Sequence, residues 1–118
     1  MCGFLMKFGE DRAVALQEIP GRLTPLLAHR GPDDFQTFSG SRYHLWSWRL
    51  ALVDRAASKQ PMRSADGQVT VLFNGEIYNH RALRSELKRS GGLFRTEGDT
   101  EVVLEAYRQW GVSCFRRF

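Results

Sequence analysis

Leu45-Trp46-Ser47-Trp48-Arg49-Leu50-Ala51-Leu52-Val53 repeats every second residue: Trp46, Trp48, Leu50 and Leu52 share one side, and Leu45, Ser47, Arg49, Ala51 and Val53 the other. Successive side chains of an extended strand point to opposite faces, so this period predicts a strand over 45–53. The two indoles seek a core. Arg49, set between the small Ser47 and Ala51 on the opposite face, has room beside it for a ligand.

Towards the N-terminus, Cys2, Phe4, Met6 and Phe8 alternate with Gly3, Leu5 and Lys7, which predicts a second strand, short and mostly buried. Val14 to Ala28 carries spaced apolar residues interrupted by Pro20 and Pro25. It predicts helix only in pieces, because an internal proline removes a hydrogen bond and crowds the preceding turn. His29 to Asp34 reads as a turn. Towards the C-terminus, Val69 to Phe73 predicts a strand ending in Asn74-Gly75, and Asn79 to Arg89 a helix stopped by Gly91 and Gly92. Val103, Ala106, Tyr107 and Trp110 fall at helical spacing in a last helix, capped by Asp99 or Thr100 and ended by Gly111. This mixed order is α+β or layered α/β.

A length of 118 residues, with eight Phe and three Trp, supplies one core and excludes both a disordered chain and two full domains. No repeat or Ser/Gly/Pro-rich linker marks an internal boundary. No run approaches the roughly 18 apolar residues of a membrane span, and the start lacks a basic segment followed by an apolar one. The expectation is a cytoplasmic protein without a membrane partner. Cys2 and Cys114 have neither disulfide nor zinc spacing, so no metal is expected, and Cys114 reads as a buried residue at a helix end. A net charge of +4 raises nucleic acid as a partner. However, Arg81, Arg84, Lys88 and Arg89 lie along one helix with Leu83 and Leu87 on its other side, the pattern of an ordinary solvated face. No nucleic-acid partner is expected.

Cys2 has a property that no internal cysteine has. Initiator methionine is removed ahead of small side chains, which gives Cys2 a free α-amino group. An amine of pKa about 7.7 to 8.0 can take the proton of its own thiol, so nucleophile and base come from one residue. A small apolar residue opening a buried strand would also account for a cysteine there.

Met1-Cys2-Gly3-Phe4, His29-Arg30-Gly31-Pro32-Asp33-Asp34, Arg49 to Asp54, Asn74-Gly75-Glu76-Ile77-Tyr78-Asn79-His80 and Gly98-Asp99-Thr100-Glu101-Val102 follow in this order over nearly the whole chain. Together they resemble the N-terminal glutaminase domain of the asparagine synthetases, a class II glutamine amidotransferase. The resemblance implies an α+β fold of the N-terminal-nucleophile hydrolase type, a four-layer αββα sandwich of two antiparallel sheets between helices. The domain would occupy 1–118 and be incomplete at its C-terminal end, since the sequence stops after a helix with no closing strand. The implied reaction is hydrolysis of glutamine to glutamate and ammonia. The ammonia would serve asparagine synthesis from aspartate, dependent on ATP and magnesium, in a synthetase domain of the same or another chain. No cofactor is expected in this segment itself, its activity alone is left open, and a homodimer is admitted. A class II amidotransferase feeding a different acceptor, or a non-catalytic fragment, are the alternatives. The Arg-Gly-Pro-Asp and Asn-Gly-Glu-Ile-Tyr-Asn runs favour the first reading, and intact Cys2, Arg49, Asn74 and Asp99 argue against a decayed site.

Free glutamine presents a carboxylate, an ammonium and an amide whose carbonyl becomes an oxyanion. The planar fork of Arg49 matches a carboxylate, although a surface arginine on an edge strand would read the same way. Asn74 and Gly75 offer a side-chain amide and a backbone N–H to the oxyanion, or only a tight hairpin turn. Asp99 caps a helix, binds an ammonium, or does both. By the resemblance, Cys2, Asn74 and Gly75 are catalytic and Arg49, Val53, Glu76 and Asp99 hold glutamine, with Glu76 at its α-amino end. Arg30-Gly31-Pro32-Asp33, otherwise a plain turn, would support these residues. The sequence departs from the family pattern at Trp48, where His is usual, and at Lys59 ahead of Gln60-Pro61-Met62, where a small residue or His is common.

Overall fold

The computed structural model describes residues 2–9, 18–50 and 59–118, and their contacts divide the chain into two units, Met1–Ala51 and Leu52–Phe118. The first unit contains β1 (Gly3–Phe8), α1 (Glu18–Leu27), β2 (Asp34–Ser39) and β3 (Tyr43–Arg49). The predicted central strand is β3, which lies between β1 and β2 in an antiparallel sheet. It begins at Tyr43, and the predicted continuation over 51–53 lies outside the described residues. Trp46 and Trp48 are buried as the alternation requires. On their face lies α1: Trp48 Nε1 donates to Thr24 Oγ1 at 3.0 Å, and a Cβ at Gly3 would meet Leu27 at 3.3 Å.

Three expectations for this unit need correction. The alternation of β1 holds, but Phe4, Met6 and Phe8 are exposed and the strand is not mostly buried. Their partners Ser47, Leu45 and Tyr43 put them on the face opposite the indoles and α1. The helix is one piece, not several, because Pro20 sits in the first turn, where an N–H has no intrahelical acceptor, and the carbonyl that the Pro25 ring crowds belongs to Gly21. The predicted start of that segment, Val14 to Gln17, lies outside the described residues. Finally, Asp34 does not close a turn but opens β2. Phe35 and Phe38 are three residues apart and so fall on opposite faces, which hides the strand from any period-two reading.

The second unit contains β4 (Met62–Arg63), β5 (Thr70–Val71), α2 (His80–Arg89), α3 (Asp99–Trp110) and a 3₁₀ turn, Gly111–Arg116. The predicted strand over 69–73 shrinks to Thr70–Val71, paired with the unpredicted β4. A two-residue ladder is too short to show a period. Both predicted helices are present. Leu83 and Leu87 of α2 pack with Val102, Val103 and Ala106 of α3, with Ile77 and with Cys114. Leu87 alone, 1% exposed, contributes about 2 kcal/mol by area burial. Cys114 is buried as predicted, and burial raises its thiol pKa.

Arg84 overturns the solvated-face reading of α2. It is buried, donates from Nη1 to Thr96 O at 2.6 Å and from Nη2 to Gly98 O at 2.8 Å, and lies 4.4 Å above the Phe94 ring. Its long apolar stem follows Leu83 into the core, while the planar head finds carbonyls there. The described architecture is α+β with antiparallel sheets. Among the described residues no helix is long and apolar enough to cross a membrane.

Candidate functional site

In the first unit the strand register sets the geometry. Cys2 stands one residue ahead of β1, where its Sγ accepts the Leu50 N–H at 3.4 Å and lies 3.7 Å from Leu50 O. The register ends at the Gly3–Trp48 pair, and Cys2 and Arg49 are the next residues beyond it on the two strands, so continuing it by one step would set them opposite each other. Opposed residues of an antiparallel pair have Cα atoms roughly 5 Å apart and side chains on one face. Arg49 itself is 5% exposed in the central strand, so it is not a surface arginine on an edge.

The turn after α1 braces the end of this strand. A Cβ at Gly31 would sit 2.1 Å from Trp48 O and 2.5 Å from Arg49 N, so only glycine lets the turn lie against that peptide. Two residues on, the Asp33 N–H donates to Arg49 O at 3.0 Å. The turn thus makes backbone contacts with the peptides on both sides of Arg49. Val53 lies outside the described residues.

In the second unit, Asn74, Gly75 and Glu76 form an exposed run between β5 and α2. Among the described residues no returning strand follows, so the hairpin reading of Asn74-Gly75 is corrected: the chain passes through the buried Ile77 directly into α2. A Cβ at Gly75 would meet the Phe73 ring at 2.9 Å. Asp99 occupies the first turn of α3 and makes no capping bond to it, Gly98 being the cap residue. Its Oδ2 instead accepts the Ile77 N–H at 3.0 Å. The capping alternative for Asp99 therefore fails, and the carboxylate is tied to the end of the Asn74 run. Sequence reasoning missed Gln60 and Glu101, both buried. Glu101 accepts hydrogen bonds from the Arg95 and Thr96 N–H groups and from Thr96 Oγ1, holding the approach to α3. Isolated polar residues of this kind have no periodic signature.

A family model described as a glutamine amidotransferase domain matches residues 1–118, the whole chain. The chain belongs to that family. This amidotransferase domain is similar to asparagine synthetase [glutamine-hydrolyzing] 1 of Bacillus subtilis, 34% identical over 113 residues that cover 93% of this chain and 18% of the relative. The corresponding protein 1 of Arabidopsis thaliana is 39% identical over 113 residues, covering 95% of this chain and 19% of that one. Asparagine synthetase [glutamine-hydrolyzing] of Sandersonia aurantiaca is 40% identical over 118 residues, covering 96% and 21%. The chain thus spans about a fifth of the length of the curated relatives it matches. Membership places it in the amidotransferase enzyme type.

Proposed function

We propose that this domain hydrolyses glutamine to glutamate and ammonia with Cys2 as nucleophile, and that it does so as the amidotransferase part of a longer asparagine synthetase. The observation that supports the reading is the β1–β3 register, beyond whose last pair, Gly3–Trp48, a cysteine at position 2 and the buried Arg49 come next, in a chain matched end to end by the family model. The length of the relatives supports a synthetase portion outside this sequence. That portion would take the ammonia and use ATP and magnesium.

The α-amino group of Cys2, freed by removal of Met1, accepts the thiol proton, and the sulfur attacks the amide carbon. Asn74 and the Gly75 N–H donate to the resulting oxyanion. Collapse breaks the C–N bond, the amine returns its proton to the leaving nitrogen, and ammonia departs from a glutamyl thioester. Water, deprotonated by the same amine, then releases glutamate and restores the thiol. Arg49 receives the substrate carboxylate, and Asp99 with Glu76 receives its ammonium. Val53 is assigned to the glutamine-binding set with them. In the sandwich that the family implies, the β1–β3–β2 sheet would be one of two inner layers.

Cys2→Ala is expected to lower ammonia release from glutamine by about 10⁴-fold or more, as loss of a covalent nucleophile does. A variant with residues added before Cys2, which turns its amine into an amide, is expected to fall comparably while keeping the thiol. Full glutaminase activity in the extended variant, or active material whose mass retains the initiator methionine, would refute the mechanism.

A further inference from the structure

Gln60 is 7% exposed and divides its amide between two segments of the second unit. Its Oε1 accepts the Phe73 N–H at 2.8 Å, and its Nε2 donates to Thr100 Oγ1 at 3.3 Å. Because a backbone N–H can only donate, the oxygen must face Phe73. Phe73 directly precedes Asn74, Gly75 and Glu76, and Ile77, which follows them, is held by Asp99 Oδ2 at 3.0 Å. The run is therefore tied at both ends, and both ties finish on adjacent residues, Asp99 and Thr100. That first turn of α3 is fixed by its own burial: Thr100, Glu101 and Val102 are 4%, 1% and 0% exposed.

A ladder could have done this work, but β5 ends at Val71. Donors that must meet a developing oxyanion need placement to a fraction of an ångström, and where β5 has ended the side-chain ties of Gln60 and Asp99 supply it at both ends of the run. We propose that Gln60 is a positioning residue that clamps the Asn74-Gly75-Glu76 run to the first turn of α3, aiming the Asn74 amide and the Gly75 N–H. The catalytic part rests on the glutaminase reading above, whereas the clamp itself can be observed without it. Asp99 is held in α3 by bonds and burial that do not involve Gln60, so it should keep its place when Gln60 is changed. The loss therefore falls on the transition state more than on ground-state binding.

Two substitutions in the full chain test this. Gln60→Met keeps length and bulk but removes both bonds, and Gln60→Glu keeps an acceptor for the Phe73 N–H. Gln60→Met is expected to lower kcat for glutamine hydrolysis on the order of 10- to 100-fold, with KM changed by less than about threefold. Amide hydrogen exchange should accelerate roughly tenfold at Phe73, whose N–H loses its acceptor, while Ile77 and the centre of α3 stay protected, and Gln60→Glu should recover most of kcat. Unchanged kcat together with unchanged exchange at the Phe73 amide in Gln60→Met would overturn the clamp. So would equal losses in both variants with exchange rising throughout α3, since that is a general loss of fold. A wild type that releases no ammonia, while Gln60→Met still frees the Phe73 amide, would overturn the glutaminase reading and uphold the clamp.

Discussion

Arg49 ends the middle strand of a sheet, paired with Asp34 of β2 and accepting the Asp33 N–H at its carbonyl, with a glycine pressed against the peptide before it. Asn74 sits in a run that belongs to no strand among the described residues, and the residues flanking that run, Phe73 and Ile77, are held by the side chains of Gln60 and Asp99. The two units therefore place proposed site residues by different means. The first uses the fit of one backbone against another, which any side chain of suitable period can satisfy. The second uses buried polar side chains that reach backbone groups, and there the identity of each residue matters. Backbone fit should be sensitive to added volume at one point, and side-chain ties should be sensitive to the loss of single polar groups.

The largest expected effect tests the first half of that contrast. Gly31→Ala would put a methyl group 2.1 Å from Trp48 O, a backbone atom of the central strand that cannot rotate away. The turn or the strand must shift, and a cost of about 3 kcal/mol or more is expected. Urea unfolding of the variant measures it. A loss below about 1 kcal/mol would mean that the turn after α1 yields easily and does not brace Arg49.

Arg84→Met tests the second half, with a somewhat smaller effect. The substitution keeps most of the buried stem but strands the carbonyls of Thr96 and Gly98, just ahead of Asp99. Leaving buried acceptors unpaired should cost about 2 to 3 kcal/mol, again by urea unfolding. If Arg84→Met were neutral while Gly31→Ala was severe, the second unit would be held by its Leu83–Leu87–Val102 core alone, and the contrast would dissolve.

The same division separates the features that are legible in the sequence from those that are not. Periods are written along a single chain. The indole alternation of β3 and the apolar spacing of α2 and α3 are therefore legible, and so is the strand that follows Cys2, though not its pairing with β3. Arg49 itself stands out because its parity sets it apart from Trp46 and Trp48. What is not legible depends on residues distant in sequence. Asp99 has the look of a helix cap, its usual role at such a position, and only the fold shows that the Ile77 N–H claims it. Arg84 carries the charge of a solvated residue but lies beside two buried carbonyls. Asn74-Gly75 has the composition of a hairpin turn, and the absence of a return strand among the described residues shows that it is not one. Gln60 gives no signal, because a single buried amide has no period.

The smallest effect concerns an exposed version of the same polar ties. In the turn between β4 and β5, Asp66 Oδ1 accepts from Ser64 Oγ at 2.6 Å and from the Gln68 N–H at 3.0 Å, and Oδ2 meets Arg108 Nη2 at 2.8 Å. The Ser64 hydroxyl first, then the Gln68 N–H and Arg108, hold this carboxyl at about 2 instead of 3.8. Its folded pKa is depressed, so its contribution to stability is complete above pH 3.8 and is lost as the pH falls towards about 2. Ser64→Ala should move the carboxyl most of the way back to its usual value in an NMR titration, and Arg108→Gln should move it less, since an exposed ion pair is screened by water. The reverse order would show that charge, not a directed hydrogen bond, sets this turn. The side-chain ties of the second unit would then differ in kind between its surface and its interior.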